Sequence, residues 1–410
     1  MILIDVGSTI IKYFKIGNSG EILSGGYFQR NYEEIVEIQV KNILQDNIGI
    51  DPKLENVRIC SSANGGIKVG VIGYTERFSA SWAEKAALNA GANVRWVTNI
   101  TNLGENPREQ VDIIIIAGGV EGSPVQNQIA WIAELHKLNF ECESIVFSGN
   151  TSLHLEVKKN WPKAVLAKNV IGCDMRWSGH SLVEVIREAY LNDLILTKGI
   201  SELKIISQVP ILPTPAIVQA SYEAMLKSES SMRLAYPLLL LDVGGATTDI
   251  YYGGELIADS NGNQPRPSIN RHVFTYLGIS VSRRTLIERL SLSENLGDFL
   301  RTLNPFEAEK RYLALREGET DWITSKFLAK ACIFLALEEC VNGLSGGHRL
   351  QLSRVCSVAI TGGASQLCEI DELERIIDQF GIKNANVYID KKYQIWINGM
   401  GIKLRKLKNK

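Results

Sequence analysis

Net charge is nearly absent from this sequence: 44 Lys and Arg stand against 45 Asp and Glu, a formal balance of −1. A chain without a basic field exerts no long-range pull on nucleic acid, so no nucleic-acid partner is expected. Its one basic cluster, KLRKLKNK at Lys403 to Lys410, is terminal and reads as a frayed helix end. Long apolar runs are missing too. No window approaches the roughly 18 uninterrupted apolar residues of a membrane span, and the first residues lack the basic-then-apolar layout of a signal peptide. The expectation is a cytoplasmic protein with no membrane partner. Seven cysteines (Cys60, Cys142, Cys173, Cys332, Cys340, Cys356, Cys368) show no CxxC pair and no Cys/His ligand spacing, which excludes a zinc ribbon and a disulfide framework. They read as reduced core thiols. Five histidines (His136, His154, His180, His272, His348) show no metal spacing either, and each reads as a surface or packed imidazole.

What the chain does have is a repeated pattern of short apolar segments. ILIDVGS, IIKYFKIG and EILSGGYFQR read as an antiparallel three-strand meander, its second turn at Asn18-Ser19-Gly20. A helix is expected from about Asn31 to Asn47 on a stripe of Ile35, Ile38, Ile43 and Leu44. VRICSSA and KVGVIGY read as strands around a hairpin turn NGG at Asn64 to Gly66, and Thr75 as the cap of a helix that stops near Gly91. NVRWVTN, VDIIIIAGG, ESIVFSG and KAVLAKNV are further strands, apolar enough for a sheet covered on both faces. AGGVEG at Ala117 to Gly122 reads as a tight turn between strand and helix, with a second glycine-rich ligand loop carrying Glu121 at its rim as the alternative. From Pro237 the opening order returns as PLLLLDVGGA, TTDIYYGG and ELIADS, followed by helical stretches and the strand SVAITGG. GNQPRPS at Gly262 to Ser268 is the best candidate for a flexible loop.

Two apolar strands that end in Asp and Gly, about 237 residues apart, point to duplicated domains rather than a short-period solenoid. Each puts a carboxylate at the end of a buried strand, then a glycine that lets backbone approach a ligand, then hydroxyls and free N–H groups. Such turns make anion-binding concavities, and a carboxylate can hold hydrated Mg2+ against phosphate oxygens. Two facing hairpins would clamp a polyphosphate from both sides.

ILIDVGSTIIK and LLLLDVGGATTDI resemble the two phosphate motifs of the actin-like ATPase superfamily of sugar kinases, DnaK-type chaperones and actin. VAITGGAS (Val358 to Ser365) resembles its adenosine motif, and PTPAIVQASYEAM (Pro213 to Met225) its first connecting helix. The resemblance implies an α/β fold of two ribonuclease H-like domains with a nucleotide cleft between them. The first domain is expected over 1–212 with insertions and the second over 213–396; 397–410 is expected as a C-terminal helix packing back on the first. It further implies ATP and Mg2+ as cofactors. Asp5 and Asp242 would hold the hydrated metal, and Gly7, Ser8, Thr9, Gly244, Gly245, Ala246 and Thr247 would cradle phosphate. Lys12 would neutralise the terminal phosphate, Asp249 would orient water, and Gly362, Gly363 and Ala364 would receive the adenosine. One departure concerns hydrolysis: Leu212 stands before Pro213-Thr214 where the DnaK-type chaperones carry a glutamate.

The longer stretches ICSSANGGIKVGVIGYTERFSASWAEKAALNAGANV, DIIIIAGGVEG and YIDKKYQIWINGMGI are similar to the MutL (GlmL) family, accessory proteins linked to glutamate (methylaspartate) mutase and other adenosylcobalamin enzymes. That similarity implies an ATPase acting as a reactivating or chaperone-like factor, with the subunits of an adenosylcobalamin-dependent mutase as partners. A small-molecule kinase of the sugar or acetate type and an actin-like scaffold remain open alternatives.

Overall fold

The first strand, β1 (Ile2–Val6), is buried at every position, as a strand enclosed between neighbours and covered on its faces must be. In the computed structural model it pairs antiparallel with β2 (Ile10–Ile16), which pairs antiparallel with β3 (Ile22–Gln29). Helix α1 (Val36–Asn42) follows, and then β4 (Val57–Ser61), parallel to β1. The described residues are 1–410 without 18–20, 32, 48, 50–55, 62–66, 91, 100–108, 139, 198–202, 208–210, 228–231, 259–268, 319–320, 345–348 and 409–410, and without the side chains of 77, 89, 190–197, 204–205 and 403–408. The expected turns at Asn18-Ser19-Gly20 and Asn64 to Gly66, the stop at Gly91, the loop at Gly262 to Ser268, His348 and the side chains of the basic tail lie outside them.

Two of the early expectations are corrected here. The helix starts at Val36, not Asn31, and it buries Val36, Val40, Ile43 and Leu44 while Ile35 and Ile38 are exposed. Gln39 explains the late start: its amide donates to the carbonyls of Asn31 and Glu34 and accepts from the Asn31 N–H, which holds those two residues outside the helix. Nor do the strands either side of NGG form a hairpin. β4 pairs with β1, whereas β5 (Lys68–Gly73) pairs with two other strands, both parallel to it.

Residues 66–198 form a compact unit of their own, separate from the unit made by 1–65 and 199–410. Thr75 caps the turn that leads into α2 (Ser81–Ala90) by accepting from the Ser79 N–H. β6 (Asn93–Asn99), β7 (Ile113–Ala117), α3 (Gln126–His136), β8 (Ser144–Phe147), α4 (His154–Asn160), β9 (Val165–Leu166) and α5 (His180–Thr197) complete the unit. Its five strands are all parallel, in the order β6-β5-β7-β8-β9. Trp131, Ile132 and Leu135 of α3 pack on Ile114, Ile116 and Phe147 of the sheet.

After α6 (Leu203–Ile206), the short β10 (Leu212–Pro213) joins β4 in parallel and runs into α7 (Thr214–Leu226). The second meander is β11 (Leu238–Val243), β12 (Thr248–Gly253) and β13 (Ile269–Phe274). ELIADS is therefore not its third strand: Gly254–Leu256 is a 3-10 turn, and INRHVF fills that place. The helices α8 (Arg283–Leu292), α9 (Leu296–Thr302), α10 (Pro305–Glu317) and α11 (Trp322–Asn342) precede β14 (Ser357–Thr361), α12 (Ile370–Gln379), β15 (Asn386–Ile389) and α13 (Gln394–Lys408).

Counted from their third strands, the two sheets of this unit have one order: β3-β2-β1-β4-β10 and β13-β12-β11-β14-β15. Both are an antiparallel meander extended by two parallel strands, so this is a mixed α/β fold with two ribonuclease H-like sheets. The helix leaving each sheet packs against the other. Val218, Tyr222 and Met225 of α7 lie on Leu238, Leu240 and Ala359, while Trp396, Ile397 and Met400 of α13 lie on Leu3, Phe14 and Cys60. A large apolar side chain buried in this way stabilises by about 1.5–3 kcal/mol, so the crossing ties the two sheets together. Asp390 fixes the start of α13 by accepting from the Gln394 and Ile395 N–H groups and from Thr361.

Candidate functional site

Both hairpin turns are closed by the same bond. Gly7 N–H donates to the Ile10 carbonyl and Gly244 N–H to the Thr247 carbonyl, each at 2.9 Å. A side chain on Gly7 would stand 2.7 Å from the Ile10 oxygen, so the turn requires glycine there. In the second hairpin the carbonyls are held from behind. Ile279 N–H reaches the Gly244 oxygen, Ser280 and Val281 N–H reach the Gly245 oxygen, and the Ser282 hydroxyl donates to Ala246 at 2.6 Å. Among the described residues, the N–H groups of Gly245, Ala246 and Thr247 donate no hydrogen bond within the chain. Carbonyls tied back and successive amides left outward make a concavity for an anion.

The two hairpins face each other. A Cβ on Gly245 would lie 2.6 Å from the Oγ1 and Cγ2 of Thr9, and one on Gly363 would lie 3.7 Å from the Cδ1 of Ile10. Gly362, at φ +84°, passes so close to the second hairpin that a Cβ would overlap Oδ1 of Asp242 and stand 2.6 Å from the Val243 oxygen. Ala364 is buried in the core beneath the second sheet.

Charge is arranged differently on the two sides. Asp5, 1% exposed, is opposite Lys12 in the β1–β2 register, and the Lys12 ammonium is 2.9 Å from its Oδ2. Thr214, at the start of α7, donates to Oδ1 at 2.6 Å, and the Cys60 thiol to the same oxygen at 3.4 Å. Lys12 also stands 4.9 Å from the centroid of the Tyr393 ring. Burial alone would lower the Lys12 pKa, but Asp5, Tyr393 and Asp242 outweigh it and hold the amine above its ordinary value. Lys12 is therefore a fixed positive charge at this end of the sheet.

On the second side Asp242 stands opposite Asp249 in the β11–β12 register, a carboxylate facing a carboxylate. Burial, reinforced by Asp249 and Asp5 and opposed by Lys12 and Arg271, pushes the Asp242 carboxyl up to about 7. Among the described residues the Asp242 carboxyl makes no ion pair or hydrogen bond, while its backbone pairs with Asp249 and Thr361 in the sheet. Asp249 is paired: the Arg271 guanidinium of β13 lies 2.7 Å from its Oδ1, both groups buried. Burial raises the Asp249 pKa and Arg271 opposes the rise.

This geometry fits a nucleotide and a hydrated divalent cation. Outward amides, the Lys12 ammonium and a glycine facing Thr9 suit phosphate, while an unpaired carboxylate among like charges lacks a positive partner. Among the described residues no three His, Cys, Asp or Glu side chains converge as a ligand set, so a metal here would keep most of its water shell. The structure brings Asp5, Lys12, Thr9, Asp242, Asp249, Gly245 and Gly362 together. Leu212 pairs in register with Cys60 on β4. The sequence did not single out Thr214, Cys60, Arg271 or Tyr393 for this site. Arg271 had a signal, a charge in the middle of the strand-like INRHVF; a lone thiol, a threonine after proline and a tyrosine far along the chain had none.

Comparison with known proteins bears on what carries this site. The chain is 28% identical over 287 residues to Protein MutL of Clostridium tetanomorphum, covering 64% of this chain and 59% of that one. It thus spans about 59% of the length of that curated relative. Among solved structures it is similar to the activator of the 2-hydroxyisocaproyl-CoA dehydratase from Clostridium difficile with bound ADPNP, at 8% identity and TM-score 0.34, covering 100% of this chain and 97% of that one. It is similar also to component A of the (R)-2-hydroxyglutaryl-CoA dehydratase of Acidaminococcus fermentans, at 11% identity and TM-score 0.35, covering 100% and 99%. A ROK family glucokinase from Streptomyces griseus in complex with glucose and AMPPNP matches at 12% identity and TM-score 0.32, covering 98% of both chains. The family model described as MutL protein matches residues 1–354, and the chain belongs to that family.

Proposed function

We propose that this protein binds ATP with Mg2+ between its two hairpins, hydrolyses it slowly, and serves as a reactivating, chaperone-like factor for an adenosylcobalamin-dependent mutase such as glutamate mutase. The observation that carries the nucleotide reading is the opposition of Thr9 to Gly245, with the free amides of Gly245, Ala246 and Thr247 beside it and the Lys12 charge nearby. Gly7, Ser8, Thr9, Gly244, Gly245, Ala246 and Thr247 are the proposed phosphate cradle, and Gly362, Gly363 and Ala364 the backbone beside the adenosine. Asp242 is the more accessible carboxylate for hydrated Mg2+, which would neutralise phosphate charge. Asp5 can share it when Lys12 turns from Asp5 to a phosphate oxygen. Slow turnover follows from two features: Leu212 can neither orient water nor bind a metal, and Asp249 is engaged by Arg271.

The proposed domains are 1–212, with 66–198 as the main insertion, and 213–396, followed by the C-terminal segment 397–410, of which 397–408 lies in the helix that crosses back. Because α7 and α13 each pack on the opposite sheet, a nucleotide that prefers one setting of the sheets would shift a partner only by its difference in affinity for the two settings. The mutase partner rests on the family resemblance of the sequence.

The test is single-turnover phosphate release with a fluorescent ATP analogue, with and without a mutase carrying inactive cobalamin. Slow release by the protein alone, accelerated by the mutase together with loss of its inactive cobalamin, is the expected result. A phosphorylated metabolite in place of free phosphate would favour a kinase, and sedimentable polymer formed with ATP a scaffold.

A further inference from the structure

The inserted unit carries a second constellation that the hairpins do not use. Its parallel sheet, counted along the unit, has strand order 2-1-3-4-5, which reverses direction between β5 and β7. In open parallel sheets ligands bind outside the carboxyl ends of the strands at that reversal. Here Gly73 and Ala117 are level in register at those ends, and AGGVEG leads from β7 to α3.

The loop repeats the design of the second hairpin. The Gly118 carbonyl accepts from the Asn150 N–H, that of Gly119 from the Asn169 amide at 3.0 Å, and that of Val120 from the Asn150 amide at 3.1 Å. Among the described residues the N–H groups of Gly119, Val120 and Gly122 donate nothing within the chain. Gly119 and Gly122 take φ of +77° and +76°, a conformation that favours glycine. Helix α3 begins beside them at Gln126, its preceding residue Val125 giving no side-chain cap, and adds its positive end.

An independent observation comes from Gln128 in the first turn of α3. It is 7% exposed, its Oε1 is buried with no hydrogen-bond partner, and its amide lies against Gly119, 2.7 Å from where a Cβ would be. An amide left unsatisfied at that depth is costly unless something else completes it.

We propose that the carboxyl end of this sheet binds a small phosphate ester that also carries hydroxyl groups, a sugar phosphate or a nucleotide. The phosphate takes the amides of Gly119, Val120 and Gly122 and the start of α3, and Gln128 accepts from a hydroxyl. Glu121 is turned to Thr151, accepting from its N–H and hydroxyl, which keeps its charge off the phosphate.

Calorimetric titration of the full chain with ribose 5-phosphate, AMP and inorganic phosphate tests this. Asp242→Asn is carried alongside, so that binding at the hairpins is distinguished from binding here. One equivalent of ribose 5-phosphate or AMP should bind equally well to Asp242→Asn, about tenfold more weakly to Gln128→Leu, and not to Gln128→Glu. A ribose 5-phosphate affinity matching that of AMP assigns the sugar phosphate as the recognised group, and tighter AMP binding assigns a nucleotide. Inorganic phosphate binding as tightly as the esters would overturn the hydroxyl contact. No ester binding, or binding indifferent to both Gln128 variants, would overturn the site. Gln128→Leu should melt no lower than the parent; a clear loss of stability would show that the amide already has a partner, and would also overturn the proposal.

Discussion

Lys12 occupies in the first hairpin the position that Asp249 occupies in the second: each stands opposite its strand's aspartate, Lys12 facing Asp5 and Asp249 facing Asp242. The two hairpins thus share one register and differ in the sign of one charge. On one side the aspartate is neutralised by its cross-strand neighbour; on the other it is opposed by it, and Arg271 answers Asp249 rather than Asp242. The site has a fixed cation on one wall and an unpaired carboxyl on the other.

Asp242 should therefore cost stability. Its folded pKa of about 7 lies above its unfolded value, so between about pH 4 and 7 the folded state holds the extra proton and stability falls as pH rises. Each tenfold difference in proton affinity between the folded and unfolded chain is worth at most about 1.4 kcal/mol, and less here because solvent reaches the carboxyl and screens it. Asp242→Asn should raise the melting temperature at pH 8, flatten its dependence over that window, and abolish binding of a fluorescent ATP analogue. Thermal melts across pH and one binding titration decide it; unchanged ATP affinity would count against the role given to Asp242.

Asp249→Asn removes the like charge nearest Asp242 and should move the Asp242 midpoint downward. The same series of melts, repeated in this variant, should show the falling limb shifted to lower pH. An unmoved limb would mean that burial alone sets the Asp242 pKa.

Lys12→Met leaves Asp5 buried without its cation, a change that typically costs about 3–5 kcal/mol. Adding Asp5→Asn should recover most of that loss in urea denaturation without restoring nucleotide affinity. Recovery of both would make Lys12 a purely structural counter-ion.

Gly399 of α13 lies against the Ile217 carbonyl of α7, so closely that a Cβ would overlap it. Gly399→Ala sets a helix-propensity gain of about 1 kcal/mol against overpacking that costs about 1–3 kcal/mol. Net destabilisation is expected because the obstacle is backbone rather than a mobile side chain. A stabilised variant would show that the two crossing helices can separate at little cost.

The parts of this fold that were legible in the sequence are those fixed locally. Each hairpin is announced by a buried strand, an aspartate and a glycine, and the same spacing returns in both because the turn needs it. The third strand of the second meander was not legible: ELIADS follows directly and looks apolar enough, but Ile269–Phe274 is chosen instead, and its Arg271 reaches Asp249. Long-range pairing also decided the strands beside NGG, since parallel neighbours leave no turn signal between them. Thr214 and Cys60 complete Asp5 from positions far along the chain, which no local pattern encodes.

The most direct test of the central claim is amide hydrogen exchange of the whole chain with and without ATP and Mg2+, followed in peptides covering residues 7–12 and 243–249. The free N–H groups of Gly245, Ala246 and Thr247 should exchange fast without nucleotide, and both peptides should become protected together when it binds. Protection of one hairpin alone, or of neither while ATP is bound, would contradict a nucleotide held between them.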